Sequence, residues 1–198
     1  MRRLFVLAAM LMACLLPLSA GVLYFDDIPN NGEVPMPPSY GGFTWDSNFW
    51  IEPWSEFSNS SYGNTYQFPS MSNTVFNGSG VLGVTMSGSP FIFNGADFSG
   101  WDQNNGIGGY TATSVSVSGY LGGSLVGTAA INLPADTFVW LSANMGPVDE
   151  LVISSSASGN WWLMDNFTYN QNTVPEPGSL LLCVAGLALA GTLKLRRR

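Results

Sequence analysis

The side chains able to do chemistry in this 198-residue chain are carboxylates, amides and aromatics. No histidine occurs anywhere, so Ser–His–Asp or Cys–His nucleophilic machinery lacks the imidazole that takes the proton at neutral pH. All six cations (Arg2, Arg3, Lys194, Arg196, Arg197, Arg198) sit at the two ends. Residues 21–174 hold 12 of the 13 acids and no Lys or Arg. Lysine chemistry is thereby excluded from the body. So is a nucleic-acid partner, because nothing there can neutralise phosphates. A carboxylate pair of the glycoside-hydrolase kind remains, with Asp97, Asp102, Asp149 and Glu150 as nominees. Acids on the loops of a β-sandwich are more often solvated or metal-bound, and the expectation is a protein that is not an enzyme.

Two other constellations carry chemistry. Asp26-Asp27 closes the first predicted strand, and Asp165-Asn166 lies in the last. If first and last strands lie side by side, these oxygens meet, and hard oxygen ligands without His or Cys suit Ca²⁺. A structural calcium site at Asp26, Asp27, Asp165 and Asn166 is one expectation, with Asp97 a weaker addition. The competing reading is that these acids satisfy strand-end backbone groups. Separately, Trp45, Phe49, Trp50, Trp54, Tyr62 and Tyr66 crowd one loop-rich segment, and Trp101 lies in another. Aromatic faces exposed to solvent can stack on sugar rings, which nominates Trp45, Trp50 and Trp54 as a glycan platform. The alternative makes them core that caps the sandwich ends. Gly78-Ser79-Gly80-Val81-Leu82-Gly83 matches G-x-G-x-x-G, but strand continues after it where a pyrophosphate site needs a helix.

The elements that would position these residues are strands. Thr111–Ser118 alternates apolar and small polar residues, Ser124–Leu133 does so more loosely, and Gly122-Gly123 between them reads as a hairpin turn. Further strands are expected at Gly21–Phe25, Gly42–Trp45, Val81–Met86, Pro90–Phe93, Thr137–Ser142, Glu150–Ser154 and Trp161–Tyr169. Turns are expected at Asn30-Asn31-Gly32, Asn77-Gly78, Asn94-Gly95 and Ser158-Gly159-Asn160. Many short strands with such turns predict an all-β, antiparallel jelly-roll sandwich over residues 21–170. Pro35-Met36-Pro37-Pro38 reads as a loop within it, and residues 171–174 read as a linker. The two cysteines, Cys14 and Cys183, lie outside the body, which at roughly 150 residues can bury about two-thirds of its surface without disulfides.

The ends differ from the body. Met1-Arg2-Arg3, an apolar run from Leu4 and Pro17-Leu18-Ser19-Ala20 form a secretory signal peptide, residues 1–20. At the other end an apolar segment precedes Lys194-Leu195-Arg196-Arg197-Arg198, a transmembrane helix expected at 178–195. Gly178–Leu193 spans roughly 24 Å as a helix against a hydrocarbon core of about 30 Å, short for a permanent anchor. The basic cluster stays cytoplasmic by the positive-inside rule and leaves the body outside.

Val174-Pro175-Glu176-Pro177-Gly178-Ser179, the apolar span and the terminal arginines together resemble the PEP-CTERM sorting signal, with Pro175, Glu176 and Pro177 on its motif. The resemblance implies processing by an exosortase near that element, in Gram-negative bacteria that make exopolysaccharide, biofilm or floc. Phe25-Asp26-Asp27-Ile28-Pro29, Tyr40–Trp45, Pro90–Phe98, Val117–Tyr120 and Met164-Asp165-Asn166-Phe167 resemble a β-sandwich domain frequent before this tail. That implies a fold like carbohydrate-binding modules and no established activity. The expected function is a non-enzymatic surface or extracellular-matrix protein associated with exopolysaccharide. A lectin-like module is the alternative, and a carboxylate glycosidase the more distant one.

Overall fold

The computed structural model describes residues 20–58, 67–101, 110–135 and 137–171. The signal peptide up to Ser19, Tyr62, Tyr66, Asp102, the segment from Asn172 and the whole sorting tail lie outside the described residues. Among the described residues no helix is long and apolar enough to cross a membrane.

Period-2 patterning becomes sheet throughout Ala20–Gln171, which forms one compact unit. In chain order the strands are β1 (Ala20–Leu23), β2 (Val34–Pro35), β3 (Ser39–Tyr40), β4 (Phe43–Trp45), β5 (Phe49–Pro53) and β6 (Asn73–Asn77). They continue with β7 (Gly83–Gly100), β8 (Ser114–Leu121), β9 (Ser124–Asn132), β10 (Val139–Ser155) and β11 (Trp162–Gln171). A single helical turn covers Trp54–Phe57, starting directly after the extended Pro53. In β8 the alternation is literal: Val115 and Val117 are buried while Ser114, Ser116 and Ser118 are not.

The strands form one antiparallel sheet in the order β2-β5-β6-β11-β7-β10-β8-β9, with β1 on β11 and β3-β4 on β7. Early residues of β7 pair β4 (Met86, Ser87, Gly88), and later ones, Phe91 to Gly100, pair β11. Likewise β10 meets β8 only from Glu150 onward. The two long strands therefore pass from one layer to the other, bending where the β10–β7 register breaks between Ser142 and Glu150. Such bulged bends turn a sheet into a sandwich, here of jelly-roll type, with β1 and β11 side by side as expected.

Between the layers lies an aromatic core. Phe167 contacts the rings of Phe43, Trp45, Phe91, Phe93 and Tyr169, stacking on Phe93 at 5.0 Å. Truncating it to Ala would cost about 3–5 kcal/mol by cavity formation. A smaller apolar cluster, Phe57, Phe68, Phe76, Trp101 and Leu163, sits under the helical turn. Leu163 and Phe76 pair in register, and their neighbours Met164 and Val75 belong to the main core. By strand alternation the small cluster therefore covers the opposite, outer face of the sheet.

Several sequence expectations change. Asn94-Gly95 is no turn but lies inside β7, where Gly95 has φ 154° and a Cβ would run into the Leu141 carbonyl oxygen. The expected strands Val81–Met86 and Pro90–Phe93 merge into the single strand β7, which starts only at Gly83, and Thr137–Ser142 and Glu150–Ser154 merge into β10, which starts at Val139. The Pro-rich stretch contributes Pro35 to an edge strand, where its missing N–H costs no ladder bond. The segment read as loop-rich contains β5, whose Phe49 and Ile51 are core.

Candidate functional site

Pairing of β1 with β11 carries Asp26 and Asp165 to one place, and the segment Ser70–Asn73 holds them there. Asp165 is fully buried. Its Oδ2 accepts the Ser70 N–H at 2.8 Å and its Oδ1 the Asn166 N–H at 2.6 Å. Asp26 Oδ1 accepts from the Ser70 hydroxyl (3.1 Å), the Ser72 N–H (3.1 Å) and the Asn73 N–H (2.9 Å). Asn166, at φ 49°, turns its amide to donate to Asp97 Oδ2 at 2.8 Å, and Asp97 faces Asp165 in register. The three acids thus share one neighbourhood, and the described residues include no Lys, Arg or His to offset them. Burial pushes the Asp165 carboxyl up to about 6, opposed by the Ser70 and Asn166 hydrogen bonds and reinforced by Asp26.

Asp27 is drawn elsewhere. Its Oδ1 accepts the Tyr40 hydroxyl at 2.6 Å, and burial together with that bond holds the phenol above its ordinary value. Asp26, Asp27 and Tyr40 line, with Tyr24 and Ser39, a surface cleft of about 530 Å³. Among the described residues no group of three or more His, Cys, Asp or Glu side chains is arranged to hold a metal ion. A Ca²⁺ ion at Asp26 and Asp165 would therefore need amide or carbonyl oxygens as well. Asn166 Oδ1 is one such oxygen, buried and without a hydrogen-bond partner.

The nominated stacking residues divide. Trp45 is 3% exposed, its Nε1 donates to the Tyr40 carbonyl at 2.9 Å, and its ring meets Phe25, Phe43 and Phe49 edge-on. It is core, because β4 alternation points it inward, and no sugar can reach its face. Trp50 and Trp54 are half-buried against the outer cluster, and Trp101 is buried there.

Exposed aromatics lie where the loop-rich reading did not look. Trp140 is 44% exposed and pairs in register with Asp97. Gly95 lets its indole lie close over the backbone, since a Cβ there would stand 2.7 Å from the ring. Tyr24, 51% exposed, follows the Leu23–Phe167 pair and so falls level with Asn166. Tyr24, Asn166, Asp97 and Trp140 thus lie on four neighbouring chain segments and face away from the core. Three strand spacings separate the two rings by roughly 14 Å. Alternation within Val139-Trp140-Leu141 was the available signal for Trp140; Tyr24 needed the β1–β11 register.

A third acidic group went unseen. Glu52 is 2% exposed, pairs Thr74 in register and leaves Oε2 without a hydrogen-bond partner. Burial first, then Glu33 and Glu56, push its carboxyl up to about 9, and it shares a hydrogen bond with Glu33. Glu56 in turn accepts the Glu33 N–H at 3.0 Å. No spacing rule connects residues 33, 52 and 56; only the β2–β5 pairing does. Of the glycosidase nominees, Asp149 accepts the Gly122 N–H at the β8–β9 turn (2.9 Å), and Glu150 pairs Tyr120 and Ser87.

Residues 173–198 match the family model of the PEP-CTERM protein-sorting motif. The tail is that motif, and the chain is an exported protein sorted to the cell envelope or the extracellular space. No curated protein matches the sequence. Among solved structures the body is similar to the CBM22-1 xylan-binding domain of Paenibacillus barcinonensis Xyn10C (15% identity, 78% of this chain and 97% of that one, TM-score 0.42). It is also similar to the CBM22-1–GH10 modules of Clostridium thermocellum xylanase 10B complexed with xylohexaose (11% identity, 72% of this chain, TM-score 0.39). An agarase, AgWH50C, matches at 12% identity over 76% of this chain, with a TM-score of 0.36. The chain spans 29% of the xylanase chain and 26% of the agarase. Likenesses at this distance say nothing of a ligand.

Proposed function

We propose that this is a non-enzymatic surface or extracellular-matrix protein, processed by an exosortase at Pro175-Glu176-Pro177 and associated with exopolysaccharide. The observation that carries the glycan part is the row Tyr24–Asn166–Asp97–Trp140. Two exposed rings roughly 14 Å apart flank an amide and a carboxylate on one sheet face, a spacing suited to about three sugar units. With no cation in the body, the row favours neutral or amino sugars over uronic acids. Support for the non-enzymatic reading is the absence of imidazole and amine from the body, together with the engagement of Asp26, Asp97, Asp149 and Asp165 in hydrogen bonds that fix backbone and neighbours. Polysaccharide turnover by the wild-type protein that is lost in Asp97→Asn would overturn it.

Calcium is proposed as the external counter-charge at Asp26, Asp165 and Asn166, since residues 21–174 supply no cation of their own. Asp27 would join only by leaving Tyr40.

The test of sorting is fractionation of producing cells with and without exosortase activity. The expected result is cleaved protein in the envelope, polysaccharide or medium, and uncleaved protein retained at the inner membrane when the exosortase is lost or Pro175-Glu176-Pro177 is replaced by alanines. Unchanged processing in that variant would sink the reading.

A further inference from the structure

A carboxyl buried without a cation keeps its proton, because the charged form loses its hydration. Glu52 is such a group, and it sits at a junction between two short elements. It lies on the face of β5 opposite the core residues Phe49 and Ile51. It is fully buried, and its Oε2 has no hydrogen-bond partner. The β2–β5 register, Val34 opposite Ile51, sets Glu33 across from it, and the two carboxyls share a hydrogen bond. Two ionised carboxylates are acceptors only, so a proton lies between them. Glu33 also donates its backbone N–H to Glu56 Oε2 at 3.0 Å. Gly32, at φ 127°, makes room for that carboxylate, since a Cβ there would stand 2.9 Å from the oxygen.

Through Glu33 the proton reaches both short elements. β2 is held to β5 by two register pairs, followed by the Met36 N–H on the Phe49 carbonyl at 2.9 Å. The helical turn Trp54–Phe57 has no side-chain cap and starts with the Trp54 N–H on the Ser72 carbonyl at 2.7 Å. What faces Glu52 offers no substitute for the proton. Glu33 and Glu56 are exposed acids. Thr74, opposite on β6, donates its hydroxyl to the Met164 carbonyl at 2.8 Å. Asp165, the next carboxyl across the sheet, lies beyond Thr74 on β11. Among the described residues there is no Lys, Arg or His.

We propose that Glu33, Glu52 and Glu56 form a proton-held strap: the proton shared by Glu52 and Glu33 fastens β2 and the helical turn to β5, and its loss to solvent releases both while the main core stays folded. Without it, a buried Glu52 carboxylate faces the Glu33 carboxylate with Glu56 beside them. Moving Glu33 and Glu56 relieves this at small cost, because they belong to a two-residue strand and a four-residue turn. Moving Glu52 would disrupt β5, which pairs β2 and β6 and places Phe49 and Ile51 in the core. Release lifts Trp54 and Phe57 from the outer cluster, so the apolar surface of that sheet face becomes pH-dependent. Opening returns Glu52 from about 9 to the ordinary carboxylate range. The strap is therefore tightest in acid, loosens by about tenfold per pH unit above that range, and levels off beyond about 9.

Hydrogen exchange of the full-length chain in one mild detergent, corrected for the intrinsic rate at each pH and repeated in sub-denaturing urea, tests this. The Glu33, Met36 and Trp54 amides are expected to exchange through an opening that barely responds to urea. Their protection is expected to fall about 100-fold from pH 6 to pH 8. The amides of β7 and β11 are expected to exchange more slowly and with the urea response of global unfolding. Glu52→Gln, whose amide donates to Glu33 without a titrating proton, is expected to hold the three protections level over that range. Equal protection and equal urea response in the strap and in β7 and β11 at every pH would overturn the proposal, since the strap would then open only with the whole fold. That comparison is made on the wild type, so it stands whether or not the variant folds. A folded Glu52→Gln protein that keeps the wild-type pH slope at the three amides would overturn it as well.

Discussion

Asp26 and Asp165 are joined through one residue: Ser70 donates its backbone N–H to Asp165 at 2.8 Å and its hydroxyl to Asp26 at 3.1 Å. The first and last strands are thereby fastened to the segment that also lays Phe68 on the outer cluster. Removing Asp165 strands two backbone donors in a dry site, whereas removing the Ser70 hydroxyl leaves its N–H in place. Asp165→Ala should therefore cost about 2 kcal/mol of stability and Ser70→Ala under about 1 kcal/mol. Urea unfolding of the two variants checks the order; equal losses would mean that the backbone N–H contributes little.

The pH dependence follows from carboxyls raised by burial. A carboxyl with a higher pKa folded than unfolded binds more protons in the native state, so it favours folding in acid. That contribution is fully present below the ordinary carboxylate range and is lost as pH rises through about 6 for Asp165 and about 9 for Glu52. Glu33, also raised by burial and by Glu56, adds in the same direction. The melting midpoint should fall steadily from acid to alkaline pH. Glu52→Gln should flatten the alkaline part of that fall and be more stable than the wild type at pH above about 9. A midpoint that rises from acid to neutral pH would contradict this account of the cluster.

Calcium can be separated from protonation at the same site. An ion bound between Asp26, Asp165 and Asn166 Oδ1 stabilises the folded state by mass action and replaces the proton that Asp165 otherwise takes up. Millimolar Ca²⁺ against EDTA, a range reached by extracellular sites, should raise the midpoint at neutral pH and raise it less in acid. Asp165→Asn should abolish the shift. An identical midpoint with calcium and with EDTA would leave the proton as the counter-charge.

The sequence carried the strand content because alternation is local: Val115, Val117 and the Gly122-Gly123 turn need no partner to be recognised. It carried the meeting of Asp26 with Asp165 because a jelly roll places first and last strands together. It did not carry Trp45, whose position beside Trp50 and Trp54 in the chain hid that β4 aims it at Phe25 and Phe49. Nor did it carry β5 and β6, where core residues such as Ile51 and Val75 alternate with side chains buried under a second layer, so that polarity no longer marks the face. Glu33, Glu52 and Glu56 became a group only through strand pairing between distant segments, which no spacing in one chain reveals.

Glycan association is tested most sharply at the two exposed rings, because neither belongs to the main core or to the outer cluster. Stacking on Tyr24 and Trp140 predicts that Tyr24→Ala and Trp140→Ala each weaken retention on a neutral polysaccharide, and that the double variant abolishes it. The melting midpoint should barely move. Asp97→Asn removes a charge but keeps an oxygen that can accept from Asn166, so it should spare neutral polymers and improve binding of uronic-acid polymers if carboxylate repulsion excludes them. Trp45→Ala is the contrasting variant. It should lose stability by about 3–5 kcal/mol through its core cavity, and any loss of binding should track the unfolded fraction. Retention measured on neutral and acidic polysaccharide columns, beside unfolding curves for each variant, separates the two effects. Full retention by the Tyr24→Ala, Trp140→Ala double variant would remove this face from any glycan-binding role.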